Sequence, residues 1–190
     1  MGKKEKILKA AKEILFKKSF YEATMEDIAD LSGVKKSTIY YYYPSKLDLA
    51  LELIKESIDK IISRLEELLK DTKDPREKVR KVVNFYMEIY EEGFELFIII
   101  QRLGYDFMQT ENNKEKIREF FKQLHNQKEK ISKLFGDVTL STGKKISGEV
   151  FGGALVGALG KMIFEYVSQK IPLEKEKFLE IEEIFVAALS

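Results

Sequence analysis

The chain has 190 residues, enough to bury a sizeable apolar core, and its 33 Lys and Arg against 32 Asp and Glu leave a formal net charge of +1. It contains no cysteine, which excludes disulfides and thiolate metal sites, and one histidine does not favour a metal centre. No secretory signal precedes the first amphipathic segment, so we expect a cytoplasmic location.

Two short helices around a glycine are predicted near the N-terminus, after a first helix with an apolar stripe at Ile7, Leu8, Ala11, Ile14 and Leu15. Thr24 is a good N-cap and Asp27 completes a T-x-x-D capping box, so a helix should begin at Met25. Gly33 gives the backbone freedom that a sharp corner needs, and Val34 can fill the angle. This is the helix-turn-helix pattern.

The second helix of the motif should run from Lys36 to Tyr43 and stop before Pro44. Lys35 stands where a capping side chain is expected, and a missing cap costs roughly 1 kcal/mol. The two lysines also oppose the helix dipole. A phosphate bound at this end would offset both costs, which indicates an anion-binding role for Lys35 and Lys36.

The two faces of that helix differ in their predicted roles. Ile39, Tyr42 and Tyr43 should pack inward, while Lys36, Ser37, Tyr40 and Tyr41 should face DNA. A further S-x-x-D box, Ser45 to Asp48, opens the next helix and places Lys46 in its first turn as a second cation for phosphate.

Residues 7 to 50 resemble the DNA-binding domain of the TetR family of bacterial transcriptional regulators. The resemblance rests on Thr24, the pair Ile28 and Ala29, the turn Gly33 and Val34, the run Thr38, Ile39 and Tyr40, and the closing Lys46. It implies an all-α protein with a helix-turn-helix domain over 1–46 and a larger helical ligand-binding and dimerisation domain over 47–190. The implied DNA contacts are Thr24, Lys35, Lys36, Ser37, Thr38, Tyr40, Tyr41 and Lys46.

The distribution of charge agrees with this interpretation. Residues 1–50 hold ten basic against seven acidic residues, whereas the rest of the chain holds 23 against 25. The positive charge is therefore concentrated around the motif, where a DNA-binding surface needs it.

The remaining chain is predicted to be helical with short breaks. A long helix should begin at Lys46 and end near Leu69, and another should start at Pro75 and stop near Glu91 because of Gly93. Further helices are expected over 94–108, over 117–134 with an end at Gly136, over 144–169 and over 174–189. The segments 110–113 and 137–143 are expected to be loops.

The segment GGALVGALG carries glycines at 152, 153, 157 and 160, each costing roughly 1 kcal/mol in a helix relative to alanine. Phosphate-loop and dinucleotide templates fail here, and a membrane span is disfavoured because Lys161 and Glu165 interrupt a run that looks too short. Helix packing remains, within or between subunits. The family resemblance implies a homodimer through the last two helices, with Gly153, Gly157, Phe178, Ile181 and Phe185 as candidates.

Aromatic residues are frequent in the middle helices, and most of them should form core. The resemblance also implies an effector pocket there, suited to a small apolar or aromatic molecule. The candidate lining residues are Tyr86, Tyr90, Phe97, Gln101, Tyr105, Phe121 and His125. For His125 a partly exposed surface position is the simpler alternative.

The sequence predicts a ligand-responsive regulator of transcription that binds an operator in double-stranded DNA, most simply as a repressor. We expect no enzyme activity, cofactor or metal, because no nucleophile and base pairing, phosphate loop or ligand spacing is found. The alternative is a helical small-molecule-binding protein whose motif binds DNA without specificity.

Overall fold

The computed structural model describes residues 2–108, 114–169 and 171–190. Within them the chain is almost entirely helical, with one small hairpin. The elements are α1 Lys3–Lys17, α2 Met25–Ser32, α3 Lys36–Tyr42, α4 Lys46–Leu69, α5 Pro75–Met108, α6 Lys114–Lys133, β1 Val138–Thr139, β2 Lys145–Ile146, α7 Gly148–Gln169 and α8 Lys175–Ala187.

The helix-turn-helix corner forms as the sequence predicts. The Thr24 hydroxyl accepts from the Asp27 backbone N–H, and the Asp27 carboxylate accepts from the Thr24 backbone N–H, so the capping box of α2 is complete. Gly33 adopts a left-handed conformation with φ of 66°, which disfavours other residues at this corner. Val34 is buried in the angle, next to the fully buried Ile28 and Ile39.

Three predicted boundaries are wrong. The helix expected over 144–169 begins only at Gly148, and β2 Lys145–Ile146 precedes it. Helix α5 continues through Gly93 as one helix of 34 residues, because a single glycine costs only about 1 kcal/mol and helical segments flank it on both sides. The expected loop over 137–143 contains β1, which pairs antiparallel with β2. Strands of two residues are too short to show a periodicity in sequence. The predicted loop over 110–113 lies outside the described residues.

The chain divides into two compact units whose borders fall inside the long helices. The first unit contains residues 1–59 and 95–120, and the second contains residues 60–94 and 121–190. The first unit therefore includes the helix-turn-helix motif together with the end of α5 and the beginning of α6.

In the second unit the hairpin holds the C-terminal residues beside α7 and α8. Ser141 and Ser190 donate backbone hydrogen bonds to Ala188 and Thr139, respectively. Gly148, at the start of α7, lies so close to the turn at Gly136 that an added Cβ would come within 2.1 Å of the Gly136 carbonyl oxygen. This position requires glycine for close packing of two backbones.

Helix α7 has 22 residues and, by length and composition, is apolar enough to cross a membrane; it is the only such helix in the described ranges. The prediction that the apolar run around Lys161 and Glu165 is too short for a membrane span is therefore wrong. In its most apolar window 44% of the residues are buried inside the protein, and core helices of soluble proteins pass the same test.

Candidate nucleic-acid interface

Helix α3 presents a polar and aromatic face to solvent. Ile39 and Tyr43 are buried, whereas Tyr40 is exposed and Tyr41 is 83% exposed. Ser37 lies on the exposed side as well. Burial raises the pKa of the Tyr43 hydroxyl to about 12, and this residue belongs to the core.

Tyr42 does not pack inward as predicted, since 41% of its surface is exposed. Its ring meets Tyr41 edge-on, with centroids 5.5 Å apart, and lies 6.4 Å from the ring of Tyr43. Helix α3 ends at Tyr42, so the helical periodicity from which the buried face was predicted stops at this residue.

The lysines at the start of α3 have different surroundings. Lys35 is exposed and caps the helix without a side-chain hydrogen bond, as the sequence predicts. The Lys36 ammonium lies 2.7 Å from a carboxylate oxygen of Glu26 in the first turn of α2. That hydrogen bond raises the pKa of Lys36.

Lys46 forms contacts with two backbone carbonyl groups and one aromatic ring. Its ammonium donates hydrogen bonds to the carbonyl oxygens of Phe20 and Ala23 and lies 4.5 Å from the centre of the Phe20 ring. It therefore fastens the loop between α1 and α2 to the start of α4. A phosphate contact by Lys46 stays a prediction, and this arrangement gives the residue a structural task in addition.

Thr24 and Thr38 differ in how far they are free to meet DNA. The Thr24 side chain is exposed, but its hydroxyl donates to the Asp27 carboxylate over 2.8 Å. Thr38 is half-buried. The hydrogen bond from Lys18 to Asp27, followed by those from Thr24, lowers the pKa of Asp27 to about 2.

A shallow depression of about 420 Å³ lies between the start of α2, the end of α3 and the start of α4. Its lining includes Tyr21, Thr24, Tyr40, Ser45 and Lys46. Three of these five are residues that the sequence predicts as DNA contacts, so folding brings Thr24, Tyr40 and Lys46 to one place.

Ion pairs hold the helices around this surface within the first unit. Lys4 of α1 binds Glu56 and Glu52 of α4 at 2.8 Å and 3.1 Å. In the first turn of α4, Asp48 binds Lys116 of α6. Burial alone would raise the pKa of Asp48, but the hydrogen bonds from Lys116 and Ser45 outweigh it and lower the pKa.

The predicted effector residues are described only in part. Burial raises the pKa of Tyr86, and the Tyr90 ring meets that of Tyr166 edge-on at 6.5 Å. The side chains of the other candidates lie outside the described residues, namely Phe97, Gln101, Tyr105, Phe121 and His125. No cluster of His, Asp or Glu suited to a metal occurs in the part of the chain that the structure describes.

Among the predicted dimer residues, Phe178 needs a correction, and Gly153, Gly157, Ile181 and Phe185 stay predictions. Phe178 is fully buried within its own chain and cannot reach a second subunit. The Phe185 ring packs edge-on against Phe151 at 5.4 Å, and Ile181 is half-buried. Phe178 lies on the inner face of α8, because the apolar stripe of an amphipathic helix turns to its own core first.

A different apolar face of α7 and α8 is open to solvent. On α7 it follows a spacing of four and three residues, through Val150, Ala154, Gly157 and Phe164, and the charged Lys161 interrupts it. Phe164 is 54% exposed, and Ile184 on α8 is 65% exposed. Among the described residues, a Cβ at Gly157 or Gly160 would meet nothing within 4 Å, so neither glycine is required by a close contact there.

Sequence reasoning missed Glu26 and Lys116. Glu26 looked like an ordinary acidic residue in the first turn of a helix, where it favours the dipole. Its partner Lys36 is ten residues away and Lys116 is 68 residues from Asp48, so neither pair has a local signal in the sequence.

A capped helix, a left-handed glycine corner and an exposed second helix together define a helix-turn-helix domain of the DNA-binding class. Residues 7–53 match the family model of the bacterial regulatory proteins of the tetR family. This match covers the helix-turn-helix domain, so that domain is similar to the DNA-binding domain of TetR-family transcriptional regulators.

The chain is similar to two curated regulators in particular. It is 31% identical over 93 residues to the HTH-type transcriptional activator FasR of Mycolicibacterium smegmatis, covering 47% of this chain and 42% of that protein. It is 27% identical over 166 residues to the fatty acid metabolism regulator protein of Bacillus subtilis, covering 87% and 79%. The chain thus spans less than half of the first relative and about four fifths of the second.

Solved structures share the fold along almost the whole chain. The transcriptional regulator FadR of Bacillus subtilis, in complex with stearoyl-CoA, has a TM-score of 0.72 at 21% identity, covering 98% of this chain and 99% of that one. The fatty acid degradation regulator FadR of Bacillus halodurans has a TM-score of 0.75 at 18% identity, with the same coverage. Below 25% identity these likenesses show the fold alone.

Proposed function

We propose that the protein is a ligand-responsive transcriptional repressor that binds a DNA operator as a homodimer and leaves it when a long-chain fatty acyl thioester binds. The observation that carries the DNA-binding part is the exposed face of α3. Ser37, Tyr40 and Tyr41 are free to enter a major groove there, and Ile39 and Tyr43 fix the helix from behind.

The supporting cations surround that face. Lys35 is exposed beside Ser37, and Lys36 can turn from Glu26 to a phosphate because both partners are largely exposed. Contacts to phosphate position a protein on DNA, whereas contacts to base edges select the sequence. In this division of roles the lysines hold the duplex, and Ser37, Tyr40 and Tyr41 distinguish the operator.

A second copy of the chain is the partner proposed for the exposed face of α7 and α8. The four-three spacing from Val150 to Phe164 is that of a helix seam, and Gly157 lets another backbone approach. A two-fold dimer presents two recognition helices to half-sites one helical turn apart, about 34–36 Å along the duplex. Phe164→Glu should give a monomer by sedimentation, whereas Tyr41→Glu, equally charged, should leave the dimer intact.

The effector class comes from the relatives together with the composition of the second unit. One relative is named as a regulator of fatty acid metabolism, and a structural neighbour was solved with stearoyl-CoA. The second unit of this chain has buried aromatic side chains, among them Phe85 and Tyr166, and a Tyr86 hydroxyl whose pKa burial raises. An apolar interior of this kind suits an acyl chain.

The experiment has two stages. Genomic fragments bound by the protein are selected first, and operator affinity is then measured by fluorescence anisotropy over a range of salt. We expect a large preference for one sequence that persists when salt is raised. A preference that disappears with salt would instead support the alternative, a ligand-binding protein with a non-specific basic surface.

Stearoyl-CoA is then added, with free coenzyme A and stearate as controls. An effector that couples to DNA binding by the usual 1–3 kcal/mol should weaken operator affinity about 5-fold to 150-fold. Equal operator affinity with and without stearoyl-CoA would contradict the proposed effector class. A reporter gene behind the selected operator decides the sign, because expression should rise when the regulator is deleted.

A further inference from the structure

Two acidic side chains of α2 form ion pairs with lysines of the helix-turn-helix region. Lys36 is paired with Glu26 at 2.7 Å, and Lys18 is paired with Asp27 at 2.8 Å. Of the other two lysines between residues 18 and 46, Lys46 bonds backbone carbonyl groups, and Lys35 has no carboxylate partner in the part of the chain that the structure describes. Two of these four lysines therefore already have a carboxylate partner before any DNA arrives.

Glu26 and Asp27 are neighbours but have different tasks. Asp27 closes the capping box of α2 and also binds Lys18, so its carboxylate is needed for the helix itself. Glu26 accepts its one hydrogen bond in the described structure from Lys36, and its side chain is mostly exposed. Apart from a favourable interaction with the dipole of α2, its position is thus explained by Lys36.

A carboxylate at hydrogen-bonding distance from an ammonium competes with any phosphate for the same N–H donors. A phosphate either displaces Glu26 from Lys36 or shares the three N–H donors of the ammonium with it. In both cases the carboxylate remains near the negatively charged backbone. Both effects weaken binding to DNA of every sequence, because neither involves a base edge.

We propose that Glu26 is an intramolecular competitor of DNA for Lys36 and thereby lowers the affinity of the recognition surface for all sequences alike. This inference rests on the proposed DNA-binding function. It gives Glu26 the task of keeping the operator complex weak enough for an effector of ordinary coupling strength to dissociate it.

Glu26→Gln tests the proposal, because glutamine keeps the shape and removes the charge. At low salt the full-length variant should bind both the selected operator and random-sequence duplex about threefold more tightly, the size expected for an exposed ion pair. The salt dependence should become steeper, by up to about 0.9 in slope for one additional phosphate. The melting temperature should stay the same, since the carboxylate is exposed.

Glu67→Gln is the matched control. Glu67 forms an exposed pair with Lys70 at 3.9 Å in the last turn of α4, in the other compact unit. The substitution makes the same change in net charge, so a gain in DNA affinity equal to that of Glu26→Gln would reduce the effect to overall charge and overturn the proposal.

Lys36→Gln separates competition from simple repulsion. If Glu26 acts mainly by holding Lys36, the gain from Glu26→Gln should fall clearly when Lys36 is already glutamine, leaving only the part caused by repulsion of the DNA backbone. An undiminished gain in that background, or no gain in the wild-type background, would overturn the proposal. Wild-type protein that binds no DNA at low salt would contradict the proposed function as well, so the two failures are distinguishable.

Discussion

Lys46→Met distinguishes a structural lysine from one that only binds DNA. Methionine keeps the apolar stem but removes the ammonium, which bonds the carbonyl oxygens of Phe20 and Ala23 and lies 4.5 Å from the centre of the Phe20 ring. A hydrogen bond to a charged group stabilises by roughly 1.5–3 kcal/mol, and an exposed cation–π contact adds about 0.5–1 kcal/mol. Water can replace part of this because Phe20 and Lys46 are only half-buried.

We therefore expect Lys46→Met to lower the free energy of unfolding by about 2 kcal/mol. Urea unfolding at fixed protein concentration measures this, because the stability of a dimer depends on concentration. Lys55→Met is the control, since Lys55 is exposed on the same helix and carries the same charge. It should change the free energy of unfolding by less than about 0.5 kcal/mol.

DNA binding supplies the opposite test. A lysine whose only task is one phosphate contact would leave unfolding unchanged and reduce the salt slope by about 0.9. Unaltered unfolding of Lys46→Met together with that loss of slope would refute the structural role inferred for Lys46.

Three further changes test the packing and the electrostatics. Gly148→Ala should lower the free energy of unfolding in urea by about 2–3 kcal/mol, because its Cβ would meet backbone atoms of Gly136. Gly160→Ala has open space at the new Cβ and should raise that free energy by up to about 1 kcal/mol. Equal effects of the two substitutions would contradict the close approach of Gly148 to Gly136. Phe178→Ala should cost about 3–5 kcal/mol as a core deletion, while Ile184→Ala should weaken dimerisation in sedimentation at little cost to the fold; the reverse result would restore Phe178 to the interface. Asp27 has a pKa lowered from 3.8 to about 2, so the stability it contributes is present above about pH 4 and is lost as the pH falls towards 2. The difference in melting temperature between wild type and Asp27→Asn should therefore close over that range. A difference that stays constant with pH would argue against this linkage.

The sequence was most informative where interactions are local. The capping box of Thr24 and Asp27, the left-handed Gly33 and the uncapped start of α3 each follow from residues within a few positions of one another. The match to the tetR family model lies in the same part of the chain. Long helices such as α4 are also predictable, because apolar periodicity extends over many turns.

Prediction was weakest where two opposite tendencies had nearly equal energies. Gly93 could end α5 or be tolerated within it, and a cost of about 1 kcal/mol is too small to decide between them without the neighbouring helix. Phe178 and Ile184 share one amphipathic helix, and only packing of the second unit decides which of them is buried.

The sequence by itself determined the helix-turn-helix motif, the helical fold class and the exposure of Ser37, Tyr40 and Tyr41 on α3, because these depend on spacing along one chain. Only the tertiary structure decided how the charged side chains are paired. Lys36 meets Glu26, Lys46 meets the carbonyl groups before α2, and Lys116 meets Asp48. Such pairs join residues that are distant in sequence, and their partners become neighbours only after the helices have packed.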